Sequence, residues 1–165
     1  MLDRIHERQG FAGLMAYSLA EANWLARNGF DDVLVAYPSV DRSALADLAA
    51  DPELVRRVTV MVDDPEHLRI ITEVASTRSP VRICLDVDAS LRIGRSHLGV
   101  RRSPLHSLSS VMSAAQVVTA NPKVQLVGMM FYDAQIAGLP DSSPAVRAMK
   151  RASAHELSRR RPRII

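Results

Sequence analysis

The chain has 165 residues, 47% of them hydrophobic and 24% charged, with a formal net charge of +3. That balance suits one globular domain able to bury a core. No apolar stretch approaches the roughly 20 residues that span a bilayer, the charged start Met1–Arg8 lacks the apolar segment of a secretory signal, and a single cysteine, Cys84, excludes an internal disulfide. The expectation is a cytoplasmic protein with no membrane span.

Leu2 and Ile5 predict a short amphipathic opening helix, and the apolar run Phe11–Tyr17 then reads as a first strand. Ser18-Leu19-Ala20-Glu21 is a capping box, so a helix is expected over Leu19–Asn28, with Gly29 supplying the left-handed stop. Val33–Tyr37 is the second strand, followed by a helix from Asp41 to Ala50 that Asp51-Pro52 breaks. Val58–Asp63 is the third, after which Asp64-Pro65 opens a helix carrying Leu68, Ile71, Val74 and Ala75 inward. Val81–Asp88 is the fourth strand, with a helix over about Leu105–Ala120 ending before Asn121-Pro122. Val124–Tyr132 is the fifth, and a last helix opens at Ser143-Pro144, where Ser153-x-x-Glu156 predicts a restart or bend.

Strands that read as continuous apolar runs are buried on both faces, and strands alternating with helices imply right-handed crossovers in a parallel sheet. Ligands in such folds gather at the strands' carboxyl ends. Tyr17, Tyr37, Asp63, Asp86, Asp88, Tyr132, Asp133 and Gln135 are therefore expected on one rim. Two architectures share this pattern: an open doubly wound α/β sheet and part of a (β/α)8 TIM barrel. Helices at both ends of the chain, with no strand to cap either sheet edge, favour the partial barrel.

Seven of the 21 basic residues lie between Arg147 and Arg163, where Glu156 is the only acid, leaving 14 basic against 17 acidic elsewhere. This basic helix, residues 143–163, has no interleaved aromatic residue and reads as a solvated face, so nucleic acid is not the expected partner. His6, His67, His97, His106 and His155 show no i, i+4 pairing, so no metal site is expected. Cys84, in mid-strand, reads as a packing residue, and no serine stands in a nucleophile elbow. Gly94–Arg102 before a helix offers arginines to an anion but matches no P-loop or dinucleotide fingerprint.

The segments Val81-Arg-Ile-Cys-Leu-Asp-Val-Asp-Ala-Ser-Leu-Arg-Ile-Gly94, His97-Leu-Gly-Val-Arg-Arg-Ser-Pro-Leu105 and Gly128-Met-Met-Phe-Tyr-Asp-Ala-Gln-Ile-Ala-Gly138 resemble the alanine racemase amino-terminal domain family. The branch resembled is that of D-threonine aldolase and D-serine dehydratase-like proteins, pyridoxal-phosphate enzymes of fold type III. Gly10–Ala22 fits as well. The resemblance runs over nearly the whole chain, with the motifs in order. It implies a pyridoxal-phosphate-binding barrel whose second to sixth strands are present. The family's Schiff-base lysine belongs to the preceding strand, and its last two strands and carboxyl-terminal β domain are not matched. Lys123, at the start of a strand, and Lys150, on the basic helix, are the only lysines, and neither is placed for a cofactor on the rim.

By the same resemblance Asp88, Arg92, Tyr132 and Gln135 are the candidate cofactor-side residues, with no catalytic or metal residue assigned. Tyr132 matches the position of a ring-stacking histidine, and Arg92 the arginine that donates to the cofactor's phenolic oxygen. Arg92-Ile-Gly94 and His97-Leu-Gly99 both fit that arginine's motif. Asp86 and Asp88, two apart on a strand, share a face and need a cation such as Arg92 between or beside them. The reading is a truncated domain of a pyridoxal-phosphate-dependent racemase, aldolase or dehydratase, whose parent takes D-amino or 3-hydroxy amino acids as small-molecule substrates. Bound pyridoxal phosphate in this chain is not expected to be covalent. A non-catalytic fragment or binding module of the same fold, and an open α/β domain binding a small anion, are the alternatives. Two open sheet edges predict self-association.

Overall fold

The computed structural model describes Leu2 and residues 8–165. The opening helix expected around Leu2 and Ile5 lies, apart from Leu2, outside the described residues. Five strands form one parallel sheet: β1 (Leu14–Ala16), β2 (Val33–Val35), β3 (Val58–Val62), β4 (Val81–Asp88) and β7 (Val124–Tyr132). A separate antiparallel hairpin, β5 (Leu91–Ile93) and β6 (Ser96–Leu98), leaves the end of β4. The sheet order is β1-β2-β3-β4-β7, with Leu14 opposite Val33, Val33 opposite Val58, Thr59 opposite Arg82 and Asp88 opposite Tyr132.

That order decides between the two architectures. A doubly wound sheet reverses its strand order at a switch point, whereas a strictly sequential order with right-handed crossovers puts every connecting helix on one face. The sheet is therefore wound in the manner of a barrel. Val33, Val35, Val58, Val60, Val62, Ile83, Leu85 and Val87 pack into the core beneath the helices. Strand alternation sends Met15, Thr59, Met61, Cys84, Asp86, Asp88, Met130 and Tyr132 to the opposite, helix-free face.

Local signals explain the helices. In α1 (Leu19–Arg27), Ser18 Oγ accepts from the Glu21 amide at 3.2 Å while Glu21 Oε2 accepts from the Tyr17 amide at 2.8 Å, and Gly29 follows at φ +91°. Asp41 caps α2 (Arg42–Ala50) and Asp64 caps α4 (Pro65–Val74). Asp51-Pro52 does more than break a helix. The Asp51 carboxylate accepts from the Glu53 amide, Pro52 takes a first-turn position where no amide hydrogen is needed, and α3 (Pro52–Arg57) results.

Further boundaries differ from expectation, the second strand ending at Val35 and not at Tyr37 among them. The first strand is shorter than Phe11–Tyr17, with Phe11 exposed. Helix α5 (Leu108–Thr119) begins after Leu105, because residues 103–105 are held along the end of β4: Ser103 Oγ donates to the Asp86 carbonyl at 2.6 Å and the Asp88 amide donates to the Leu105 carbonyl at 2.8 Å. After the short α6 (Ala134–Ala137), helix α7 (Pro144–Ile164) runs through Ser153 without a restart. There Ser153 is buried with its hydroxyl 3.6 Å from Met149 Sδ, and Glu156 pairs with Arg160, so neither side chain caps anything. Among the described residues no helix is long and apolar enough to cross a membrane.

Candidate functional site

The carboxyl ends of the strands collect the polar residues of the helix-free face. Asp86 is 1% exposed and its carboxylate accepts from Arg102 Nε at 2.6 Å. Arg102 arrives from the segment after the hairpin and also donates to the Ala36 carbonyl. Its guanidinium carbon lies 4.6 Å from the Tyr37 ring centre and 5.2 Å from that of Tyr132. One cation thus joins the ends of β2, β4 and β7. Beside it opens a cavity of about 290 Å³ lined by Tyr17, Ala36, Tyr37, Arg102, Met130 and Tyr132.

Two residues further along β4, Asp88 accepts from the Ser90 amide and hydroxyl, each at 2.8 Å, and from Arg92 at 2.5 Å. The two aspartates that share a face therefore have a separate arginine each. Burial pushes both carboxyls up. At Asp86 that desolvation prevails over Arg102 and the group sits above the ordinary aspartate value. At Asp88 the hydrogen bonds from Ser90 and the charge of Arg92 outweigh burial, and the group sits below it. Asp63, at the end of β3, is raised by burial and by Asp86, against the opposing pull of His67, whose Nδ1 lies 3.0 Å away without hydrogen-bond alignment. Burial, then Asp86, pushes the Cys84 thiol up to about 11, so a thiolate nucleophile is not available at neutral pH.

The four candidate residues take three different places. Tyr132, 42% exposed, lines the cavity and is the register partner of Asp88 across β4 and β7. Arg92 pairs with Asp88 but belongs to the hairpin, outside that cavity. Gln135, expected on the rim, is 4% exposed in α6, where its amide nitrogen donates to the Ala89 carbonyl at 2.7 Å and its Oε1 is buried without a partner among the described residues. Gly99, at φ +137°, makes room for it: a Cβ there would fall 2.9 Å from Oε1 and 2.8 Å from Ser90 Cβ. Gln135 thus braces the base of the hairpin. Arg102 was not singled out from sequence; the Arg-Arg pair before Ser103-Pro104 was visible, but its partners are up to 66 positions away.

The residues present do not fit a covalently held pyridoxal phosphate. Lys123 stands at the amino end of β7 with Nζ donating to the Thr72 carbonyl at 2.8 Å, and Lys150 is tied to the Leu139 carbonyl and, at 2.9 Å, to Asp141. A stacking wall is present in the tyrosines; an anchor for an aldehyde is not.

A singly wound parallel β/α sheet with its charged residues at the strand ends defines a portion of a (β/α)8-type barrel. The chain belongs to the alanine racemase, N-terminal domain family, whose model matches residues 3–163. Similar solved structures include D-threonine aldolase from Filomicrobium marinum, 22% identical with a TM-score of 0.65, covering 92% of this chain and 38% of that one. Alanine racemase from E. faecalis is 17% identical with a TM-score of 0.65, covering 95% and 38%. Alanine racemase from Clostridium difficile 630 is 15% identical with a TM-score of 0.59, covering 99% and 38%. These likenesses establish the fold. The chain spans well under half the length of each of the three proteins. No curated protein matches the sequence.

Proposed function

We propose that this chain is a wall of the active-site barrel of a pyridoxal-phosphate-dependent enzyme acting on D-amino or 3-hydroxy amino acids, by racemisation, aldol cleavage or dehydration, and that it is not catalytic alone. The observation that carries this reading is the Arg102 junction. A buried Asp86–Arg102 pair lies under two tyrosine rings at the strand ends, beside an open cavity, while both lysines are engaged elsewhere. In the complete site Tyr132 offers a flat surface, Arg102 fixes that surface through its contact with the ring, and Asp88 holds Arg92 in one orientation. Pyridoxal phosphate, if held in the complete site, would supply an electron sink; neither lysine of this chain is placed to anchor it.

A chimera tests this. The chain is placed in frame between the preceding strand and the following portion of the Filomicrobium marinum D-threonine aldolase, and cofactor absorbance and turnover of D-threonine, D-serine and D-alanine are measured. A cofactor band and turnover, both weakened by Tyr132→Ala, are expected. A folded chimera with neither band nor turnover overturns the reading.

A further inference from the structure

From Ala89 to Tyr132 the chain contains no acidic residue, yet this stretch carries Arg92, Arg95, Arg101, Arg102 and Lys123. Arg102 and Arg92 are compensated by Asp86 and Asp88, and Lys123 donates to a carbonyl. Arg95 and Arg101 have no hydrogen bond, ion pair or ring contact among the described residues. The fold nevertheless brings them together.

The hairpin does the gathering. Gly94, at φ +55°, holds the first central position of its two-residue turn, where a positive φ suits the twist of the flanking strands, and Arg95 follows at the tip. Arg92 and His97 are cross-strand partners, so their side chains stand on one face of the hairpin. Gly99 then turns the chain so that Arg101 comes back alongside. Arg92, Arg95, Ser96, His97, Arg101 and Ser103 line one open cavity of about 410 Å³. Ser103 is already occupied, donating to the Asp86 carbonyl and accepting from the Leu105 amide. His97 Nε2 faces the Val100 carbonyl at 3.4 Å. Ser96 and the guanidiniums of Arg95 and Arg101 make no such contact among the described residues.

Arg95 and Arg101 thus bring two positive charges to one cavity in which Asp88 neutralises only Arg92. We infer that the β5–β6 hairpin is a binding site for a small phosphate-class dianion, inorganic phosphate or a phosphomonoester, held by Arg95 and Arg101 with Ser96 and Arg92 at its margin. Guanidinium pairs meet phosphate oxygens in bidentate fashion, and two of them match a dianion's charge. This site is separate from the Tyr132 cavity and does not rest on the pyridoxal-phosphate reading. The base of the hairpin is fixed independently of any ligand, by Arg160 on the Ser90 carbonyl and Gln135 on the Ala89 carbonyl.

Isothermal titration of the full chain with inorganic phosphate, at constant ionic strength against chloride, is the test. Saturable one-site binding is expected, weakened by about fivefold in Arg95→Ala and in Arg101→Ala and more in the double variant. Arg78→Ala, an exposed arginine outside the hairpin, leaves it unchanged. Thermal melts of each variant show that the fold is intact. Competition by phosphoethanolamine but not ethanolamine assigns the site to ester-borne phosphate; competition by neither assigns it to the free ion. Phosphate heats no larger than those of chloride, or binding retained in the double variant, overturn the proposal.

Discussion

Arg160 Nη1 donates to the Asp88 carbonyl at 2.8 Å and to the His106 carbonyl at 3.0 Å, fastening α7 to the carboxyl end of β4. A helix that reads as a solvated basic face thus carries one inward arginine. Its Nε is neutralised by Glu156 at 2.7 Å, one turn away, and Leu157 and Ile164 are buried beside it. The same arginine, after burial, is the largest cause of the lowered pKa of His106, which stays neutral at physiological pH.

Arg160→Ala is therefore expected to destabilise the chain by about 3 kcal/mol, because carbonyls now served by a charged donor lose it. Arg159→Ala, an exposed neighbour, changes stability by less than about 0.5 kcal/mol. Urea unfolding of the two variants beside the parent chain checks the difference; equal midpoints would remove Arg160 from its structural role.

Arg160 is turned inward and Arg161 lies over the Phe131 ring at 5.2 Å, so two of the helix's cations are engaged with the rest of the chain. Contact with nucleic acid is expected to be non-specific and to fade as salt rises. Titration with duplexes of unrelated sequence at two salt concentrations reads this out, and a sequence-selective complex surviving physiological salt contradicts it.

The Asp86–Arg102 pair predicts two linked effects. Arg102→Ala leaves a buried carboxylate unpaired and is expected to cost about 3–5 kcal/mol, part of which Asp86→Asn restores in the double variant. The two aspartates of β4 also pull stability in opposite directions with pH. Asp88, lowered in the folded state, contributes stability that is present above the ordinary aspartate value and lost as pH falls through its folded value. Asp86, raised in the folded state, binds its proton more tightly than the unfolded chain does, so folding weakens as pH rises from the ordinary value through the folded one. Carboxyl-carbon NMR titration is expected to show Asp86 titrating above Asp88; the reverse order would show that Arg102 outweighs burial.

Incubation with pyridoxal phosphate followed by borohydride is expected to leave no stoichiometric adduct that depends on the native fold, since Lys123 and Lys150 are both committed to carbonyl or carboxylate partners away from the Tyr132 cavity. Peptide mapping locates any label. Specific labelling of either lysine in the folded chain, lost on unfolding, would contradict this.

The five strands were legible because a parallel strand covered on both faces must be apolar throughout, and β4 and β7 were placed to the residue. The β5–β6 hairpin was not, since Leu91–Ile93 and Ser96–Leu98 are too short and too polar to alternate visibly; only Gly94 marks their turn. The Asp51-Pro52 pair was read as a stop although aspartate before proline is equally a cap, and only the space between α2 and β3 decides. Asp86, Asp88, Tyr37 and Tyr132 were assigned to one rim because they stand at or near the carboxyl ends of the apolar runs. Arg102 was invisible as the common partner of Asp86, Tyr37 and Tyr132 because its position depends on how residues 99–107 fold back over β4, a tertiary fact with no local period.

The sheet edges lead to the last prediction. Strand β7 has nine residues and pairs on one side only, with β4, so its other row of backbone groups is unpaired within the sheet, as is the outer row of the short β1. Long open edges template pairing with other chains. The helix-free face adds apolar surface: Met15 is 56% and Tyr17 79% exposed on β1 and just after it, with Val127 and Tyr132 exposed on β7. In a closed barrel these positions face neighbouring strands and the filled interior. The isolated chain is therefore expected to associate as concentration rises and to bind a hydrophobic dye, with Val127→Lys lowering both. Size-exclusion chromatography with light scattering over a dilution series, and calorimetry, read the outcome. A monomer at all concentrations, with a sharp cooperative transition and no dye binding, would show that five strands satisfy their own edges.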